Sequence, residues 1–371
     1  MNREGSWPKR LFSLHISRGI AALAVVVWHW EHFADSSYAR PENLDKSAYP
    51  FHSFLKVFHE KGYFGVSYFF LLSGFIFFWL YRQRIEERTV GFGNFWLQRF
   101  SRLYPLHFVT LLLVAGLQFL FSSTNPSGEF FIYPSNDAPH FLLQLGFASH
   151  WGLESTKSFN GPIWSVSVEI LLYLVFFVVA LLGKGRFFSC ALIALVGMVL
   201  YPATKHMFFL GLSLFFLGGV VYEVTGWLFQ RRAFQHRLLY LATGVSSMAW
   251  LATIFVPGIE DSIASLSLLE LNRGEGILPR FSWIGDITYS PYLLHFPLQL
   301  VLMIAVTNSF LRPDFYLSPL WLLLFLTVLV ASSYATFRYF EVPMQRRIRN
   351  LAKSPPGKPI RGAVAGSGIL R

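Results

Sequence analysis

Five short stretches of the chain combine residue types and spacings that could do chemistry. Arg18 and His29 stand eleven residues apart in an otherwise apolar run. At about 100° per residue this spacing closes to within about 20° of three full turns, so both side chains lie on one helix face, about 16 Å apart along the axis. Ser165, Glu169 and Tyr173 recur at i, i+4 and i+8 and make one polar stripe. Thr288, Tyr292, His295 and Gln299 share a face further along the chain. Arg99 and Arg102 are i, i+3 neighbours on an amphipathic stretch from Phe95 to Pro105, and Ser73-Gly74 interrupts the apolar run Phe69–Phe75. An imidazole is the natural general base near neutral pH. A carboxylate beside it fixes its tautomer and favours its charged form. Paired guanidiniums grip phosphates.

Each stretch also has a plainer reading. Arg18 could snorkel and His29 sit at an interface beside Trp28 and Trp30. Glu169 could make a hydrogen bond between helices, and Ser73-Gly74 could serve close helix packing. His295 could be a satisfied buried histidine, and Arg99 and Arg102 could meet anionic lipid headgroups.

The elements that position these residues follow from composition. The chain has 371 residues, of which 54% are hydrophobic, 18% aromatic and only 14% charged, with mean hydropathy +0.46. Soluble domains run nearer 25% charged, so a polytopic membrane protein is expected. High apolar content excludes disorder for most of the chain. The single cysteine, Cys190, excludes a disulfide framework and thiolate zinc sites, and no metal is expected. The apolar runs are long rather than alternating, which excludes a barrel.

Helical spans of about 20 residues read at 14–33, 63–81, 104–122, 163–183, 187–203, 207–225, 238–257, 286–307 and 318–340, with a weak tenth at 259–272. The fold class expected is all-α: a bundle of about ten transmembrane helices with both termini cytoplasmic. Lys9 and Arg10, the cluster from Arg82 to Arg102, Lys184 and Arg186, and Arg231, Arg232 and Arg237 place their loops inside. The chain carries 31 basic and 20 acidic residues, a formal charge of +11. Arg346, Arg347, Arg349, Lys353, Lys358, Arg361 and Arg371 follow Glu341 with no further acid. Ten spans return this tail to the cytoplasm. Residues 1–345 read as the membrane domain and 346–371 as a basic, disordered cytoplasmic tail. On this topology Glu169 lies about 9 Å below the outer surface, close to the depth expected for His29, so the two are expected to pair.

Together these stretches resemble the acyltransferase 3 family of integral membrane acyltransferases. The family's Arg-x10-His motif matches Arg18 and His29. Its Phe-Phe-x-Leu-Ser-Gly-Phe segment matches Phe69 to Phe75, and its Arg-x-x-Arg-x-x-Pro matches Arg99, Arg102 and Pro105. Trp-Ser-x-x-x-Glu matches Trp164, Ser165 and Glu169. The Ser-Tyr-Ser-x-Tyr-Leu-x-His type motif corresponds to residues 288–295 and departs by Thr288 in first place and Pro291 within.

The resemblance implies transfer of an acyl group, acetyl by default, from cytosolic acyl-CoA to a hydroxyl of an extracytoplasmic glycan or lipid-linked saccharide. The expected location is the inner (plasma) membrane. His29 is expected as catalytic base with Glu169 orienting it. Arg18, Arg99, Arg102 and Ser73 are expected at the donor, acyl-CoA, and Tyr173, Tyr292 and His295 at the substrate. Expected partners are the saccharide acceptor and membrane lipids, without nucleic acid. Some relatives add a C-terminal extracytoplasmic hydrolase-like domain; only residues 341–371 follow the last span here, so transfer is expected to be direct or through a separate extracytoplasmic partner. A transporter or flippase would also bury Arg, His and Glu, though no internal repeat supports that reading. A structural scaffold would leave Arg18, His29 and Glu169 without purpose.

Overall fold

A computed structural model describes residues 12–35, 45–154, 156–183, 186–230 and 283–352. Nine principal helices are present among them: α1 (Phe12–Trp28), α2 (Phe64–Glu86), α3 (Phe92–Thr124), α4 (Trp164–Leu181), α5 (Arg186–Thr204), α6 (Met207–Gln230), α7 (Tyr289–Thr307), α8 (Pro319–Thr336) and α9 (Val342–Leu351). No strand occurs among the described residues. Seven of the described helices are long and apolar enough to cross a membrane. The chain is an all-α polytopic membrane protein. The expected spans at 238–257 and 259–272 lie outside the described residues.

Large apolar side chains face outward on α5 and α8, among them Phe188, Leu192, Val199, Leu320 and Leu323. No water-loving group masks them, as suits helices that meet hydrocarbon. Inside, two aromatic-rich cores form. One gathers Phe75, Phe77, Phe78, Phe95, Phe176, Phe215 and Phe216 from α2, α3, α4 and α6. The other gathers Trp30, Phe33, Phe131, Phe296, Phe315 and Phe325 from the short turns after α1, the 125–160 loop, α7, the α7–α8 connection and α8. Helices α1 and α7 feed both cores, through Val25 and Leu293 on one side and Val26 and Phe296 on the other. The polar residues of these two helices therefore lie along the seam.

Close approach of α2 and α6 depends on Gly74 and Gly218. A Cβ at Gly74 would overlap the Phe215 carbonyl, and one at Gly218 the Leu71 carbonyl. This is the small-residue packing expected from Ser73-Gly74.

Helix α3 is longer than the 104–122 span read from hydropathy. It runs 33 residues through Pro105, so the amphipathic stretch bearing Arg99 and Arg102 is continuous with the membrane span. A helix also runs across the expected boundary at 346. A π-helical turn, Phe337–Glu341, leads into α9, which extends to Leu351. Val342, Gln345, Ile348 and Arg349 of α9 face inward, while Arg346, Arg347 and Asn350 face out. That one-sided pattern makes a helix that packs on α3 where composition alone suggests a disordered tail.

The 125–160 loop closes the end of the bundle opposite Arg99. Gln118 of α3 bonds both ways to the Phe131 backbone, at 2.9 Å each. Gln144 Nε2 donates to the Ser158 carbonyl at 2.8 Å, and His107 Nε2 donates to the Gln144 carbonyl at 2.7 Å. Pro297 inside α7 has no N–H to offer the Leu293 carbonyl one turn earlier. Asn160 Nδ2 fills that vacancy, donating to the Leu293 oxygen at 3.1 Å.

Candidate active site

A column of polar side chains runs along the seam between the two cores. At one end are arginines. The Arg18 Nη2 donates to Thr288 Oγ1 at 3.3 Å, and the charges around it are those of Arg102, Glu169 and Asp286. Arg99 donates to the Tyr81 hydroxyl and lies over the rings of Phe77 (5.0 Å) and Tyr81 (4.9 Å). Its Nε is buried without a hydrogen-bond partner. Arg102 is the hub: its charge acts on Arg18, Tyr173, Tyr289, Glu341 and Arg349. Arg349 reaches in from α9, with Nε donating to Ser101 Oγ at 3.1 Å. Glu341, placed by the π-turn, is buried and accepts from the Ser290 hydroxyl.

The middle of the column is built by α2, α4 and α7. Ser73 Oγ donates to Glu169 Oε1 at 2.6 Å. The Tyr173 hydroxyl faces the same carboxylate, and its ring stacks on Phe77 at 4.4 Å. One turn earlier on α4, Ser165 Oγ and the Tyr292 hydroxyl lie 2.7 Å apart, and that hydroxyl also lies 2.7 Å from the Pro162 carbonyl, which it donates to.

At the other end are imidazoles. Helix α1 stops at Trp28, and His29 begins a 3-10 turn. Its ring stacks on His295 at 4.8 Å and lies 4.7 Å from His32. The titratable groups that act on it are His32, His295 and Lys157. Its Nδ1 is buried and makes no hydrogen bond of good geometry, with the Val25 carbonyl one turn earlier the backbone group that acts on the ring. His295 Nδ1 donates to the Pro291 carbonyl at 3.1 Å, which fixes that nitrogen as the protonated one. Its Nε2 therefore carries a lone pair, and that atom too is buried and unpartnered. Gln299 ties the cluster down: Nε2 donates to the His29 carbonyl at 2.7 Å and Oε1 accepts from His32 Nδ1 at 3.0 Å.

The expected residues thus fall into separate groups. His295 joins His29, Tyr292 lies between that pair and Glu169, and Glu169 stands apart from His29. Depth counted along one helix does not register it against another: the titratable groups that act on His29 are His32, His295 and Lys157, while Glu169 accepts from Ser73. Ser165, one turn above Glu169, is the residue that reaches α7. Glu169 belongs with Ser73, Tyr173, Arg18 and Arg102, so Ser73 holds a carboxylate and Tyr173 lies on the arginine side of the column. Sequence reasoning missed His32, Glu341 and Arg349 as site residues. His32 was within reach, three residues after His29. Cys190 is buried in the first core, apart from the column.

Outside the membrane-spanning helices, a second titratable group sits in the closing loop. His140 Nε2 lies 4.0 Å from Glu154 Oε2, and Ser158 Oγ donates to the same oxygen at 3.4 Å. Burial pushes the Glu154 carboxyl up to about 7, against the opposing pull of His140 and Ser158.

A protein-family model described as an acyltransferase domain, that of the acyltransferase 3 type, matches residues 11–338. Among curated proteins, the chain is 35% identical over 170 residues to acyltransferase MdmB of Streptomyces mycarofaciens, covering 45% of this chain and 38% of the relative. It is 33% identical over 109 residues to protein 2 in the picA locus of Rhizobium radiobacter, covering 29% of this chain and 46% of the relative. The chain thus spans less than half the length of either relative. No solved structure matches it.

Proposed function

The chain belongs to the acyltransferase 3 family, and from that premise we propose that it is a membrane O-acyltransferase whose donor enters at the arginines and whose acceptor meets it at the histidines. The donor is acyl-CoA, with acetyl as the acyl group. The acceptor is a hydroxyl of a glycan or lipid-linked saccharide on the extracytoplasmic side of the inner (plasma) membrane. The observation that carries this reading is the polar column, with guanidiniums at one end and two buried imidazole nitrogens without a hydrogen bond of good geometry at the other.

Arg18, Arg99 and Arg102 bind the donor's phosphates as charge-assisted forks. Glu169, held by Ser73, balances Arg18 and Arg102 between the two ends. The thioester arm extends past Tyr173 and Tyr292 toward the imidazoles. His29 takes the proton of the acceptor hydroxyl as its oxygen bonds to the thioester carbonyl carbon. His295 Nε2, a fixed acceptor, orients that hydroxyl. Collapse of the tetrahedral intermediate breaks the C–S bond, and the departing thiolate recovers the proton from the His29 imidazolium. No covalent acyl-enzyme is required.

The test is His29→Ala, purified in lipid nanodiscs and matched in amount to the wild type. Transfer of radiolabelled acetyl from acetyl-CoA to envelope glycan is expected to fall about 1,000-fold. Near-wild-type transfer overturns the assignment of His29. Absence of acetyl-CoA-dependent ester formation by the wild type overturns the acyltransferase reading in favour of transport.

A further inference from the structure

Arg349 is one of three arginines on α9, and it alone turns inward. Arg346 and Arg347 are exposed. Arg349 is half-buried and fastened to Ser101, the residue between Arg99 and Arg102 in sequence. It therefore points toward two like charges, those of Arg99 and Arg102. Like charges brought together at partial burial repel one another and lose hydration. An exposed turn of helix offers each arginine an easy way out, so this arrangement calls for an anion.

Around the cluster, four guanidiniums face the carboxylates of Glu169, Glu341 and Asp286, each of which has another partner. Glu169 accepts from Ser73, Glu341 from Ser290, and Asp286 lies 3.5 Å from His15. The cluster keeps an excess of positive charge. Two further details orient it. Arg349 spends its Nε on Ser101, which leaves both terminal nitrogens free to fork onto a phosphate. Arg99 spends one terminal nitrogen on Tyr81 and keeps a buried Nε with no partner.

The two pairs sit at different depths. Arg102 lies one helical turn further along α3 than Arg99, and it faces Arg18, Glu169 and Tyr289 in the interior. Arg99 lies one turn nearer the start of α3, and Arg349 meets it there from α9. Coenzyme A carries two well-separated anionic groups: a diphosphate next to the pantetheine arm and a phosphomonoester on the ribose. With the arm reaching inward, the diphosphate meets the inner pair and the phosphomonoester the outer one.

We propose that Arg349 and Arg99 form a second phosphate subsite, whose occupant is the 3′-phosphate of the donor; this rests on the acyl-CoA reading above. The same phosphoryl chemistry is offered by an anionic lipid headgroup, and the test separates the two sources. The full-length protein is reconstituted in nanodiscs of phosphatidylcholine, with and without phosphatidylglycerol. KM is measured for acetyl-CoA and for its 3′-dephospho analogue.

Arg349→Ala is expected to raise KM about tenfold for acetyl-CoA and to change it less than about twofold for the dephospho donor, in both lipids. Arg349→Lys, which keeps the charge without the fork, is expected to fall between. A KM ratio does not depend on the fraction of protein that folds, so a destabilised variant still reports. Equal losses with both donors overturn the 3′-phosphate assignment. Loss confined to phosphatidylglycerol discs, with the donor ratio unchanged, assigns the subsite to lipid and overturns it as well. If the wild type uses acetyl-CoA and Arg349→Ala behaves like it, this inference falls alone; if the wild type uses neither donor, the reading beneath it falls.

Discussion

The two ends of the polar column solve the same problem in opposite ways. Both bury polar side chains in a bundle that faces hydrocarbon, where an unpaired charge is costly. The arginine end keeps its charges and surrounds them with acceptors: the Tyr81 and Ser101 hydroxyls, the Thr288 oxygen and the carboxylates of Glu169 and Glu341. The histidine end uses groups that can be neutral, and it binds them to the Pro291 carbonyl and the Gln299 amide. A fixed charge asks for an oppositely charged ligand. A neutral imidazole with a free lone pair asks for a proton donor. On the proposed function, this contrast would let one bundle hold an anionic donor at one end and a hydroxyl acceptor at the other.

The contrast can be broken most severely at His295. His295→Phe keeps a ring stacked on His29 and deletes Nε2. Turnover is expected to fall about 100-fold, with the donor KM unchanged, because a hydrogen bond to the reacting group is lost and no phosphate contact is touched. A raised donor KM with preserved turnover would place the donor, not the acceptor, at the imidazoles.

Arg102→Gln attacks the other end. Here the donor KM is expected to rise about 30-fold, the loss of one charge-assisted contact, and its dependence on ionic strength to flatten. A fall in turnover at unchanged KM would mean that Arg102 acts on the chemistry, and the division between the ends would fail.

The smallest effect concerns the loop that closes the histidine end. The Glu154 carboxyl titrates near 7 in the folded protein because of burial, above its ordinary value of 4.5. The protonated form is thus the one the fold prefers. Its contribution is complete below about pH 4.5 and is lost as pH rises through about 7. Amide exchange across residues 137–158, corrected for its intrinsic pH dependence, is expected to be a few-fold faster near pH 8 than near pH 5 in the wild type. In Glu154→Gln the difference is expected to vanish. An unchanged difference would mean that Glu154 is not the group that titrates in this range.

What the sequence disclosed follows from the physics of single helices. Ser165, Glu169 and Tyr173 share a stripe because one rigid helix fixes their relation, and Arg18 lies in α1 with His29 just past its end, in the 3-10 turn that follows Trp28. Relations between helices were not legible. Glu169 reads as a partner of His29 by depth, yet it accepts from Ser73, and Ser165 one turn away is the residue that meets α7 at Tyr292. Glu341 enters the site through a π-turn, which has no periodic signature. Arg349 lay hidden among basic residues whose composition suggests a solvated tail; only the inward face of α9 distinguishes it.

The missing N–H of Pro297 has a consequence for which conformations the chain can populate. Lifting Asn160 away from α7 strands the Leu293 oxygen in an apolar interior with no helical donor to replace it. Leaving a buried acceptor bare costs about 1–3 kcal/mol, which makes any conformation with that segment raised about 5- to 150-fold rarer than an untethered one. The proline thus makes Asn160 the tie that holds the segment between the closing loop and α4 against α7.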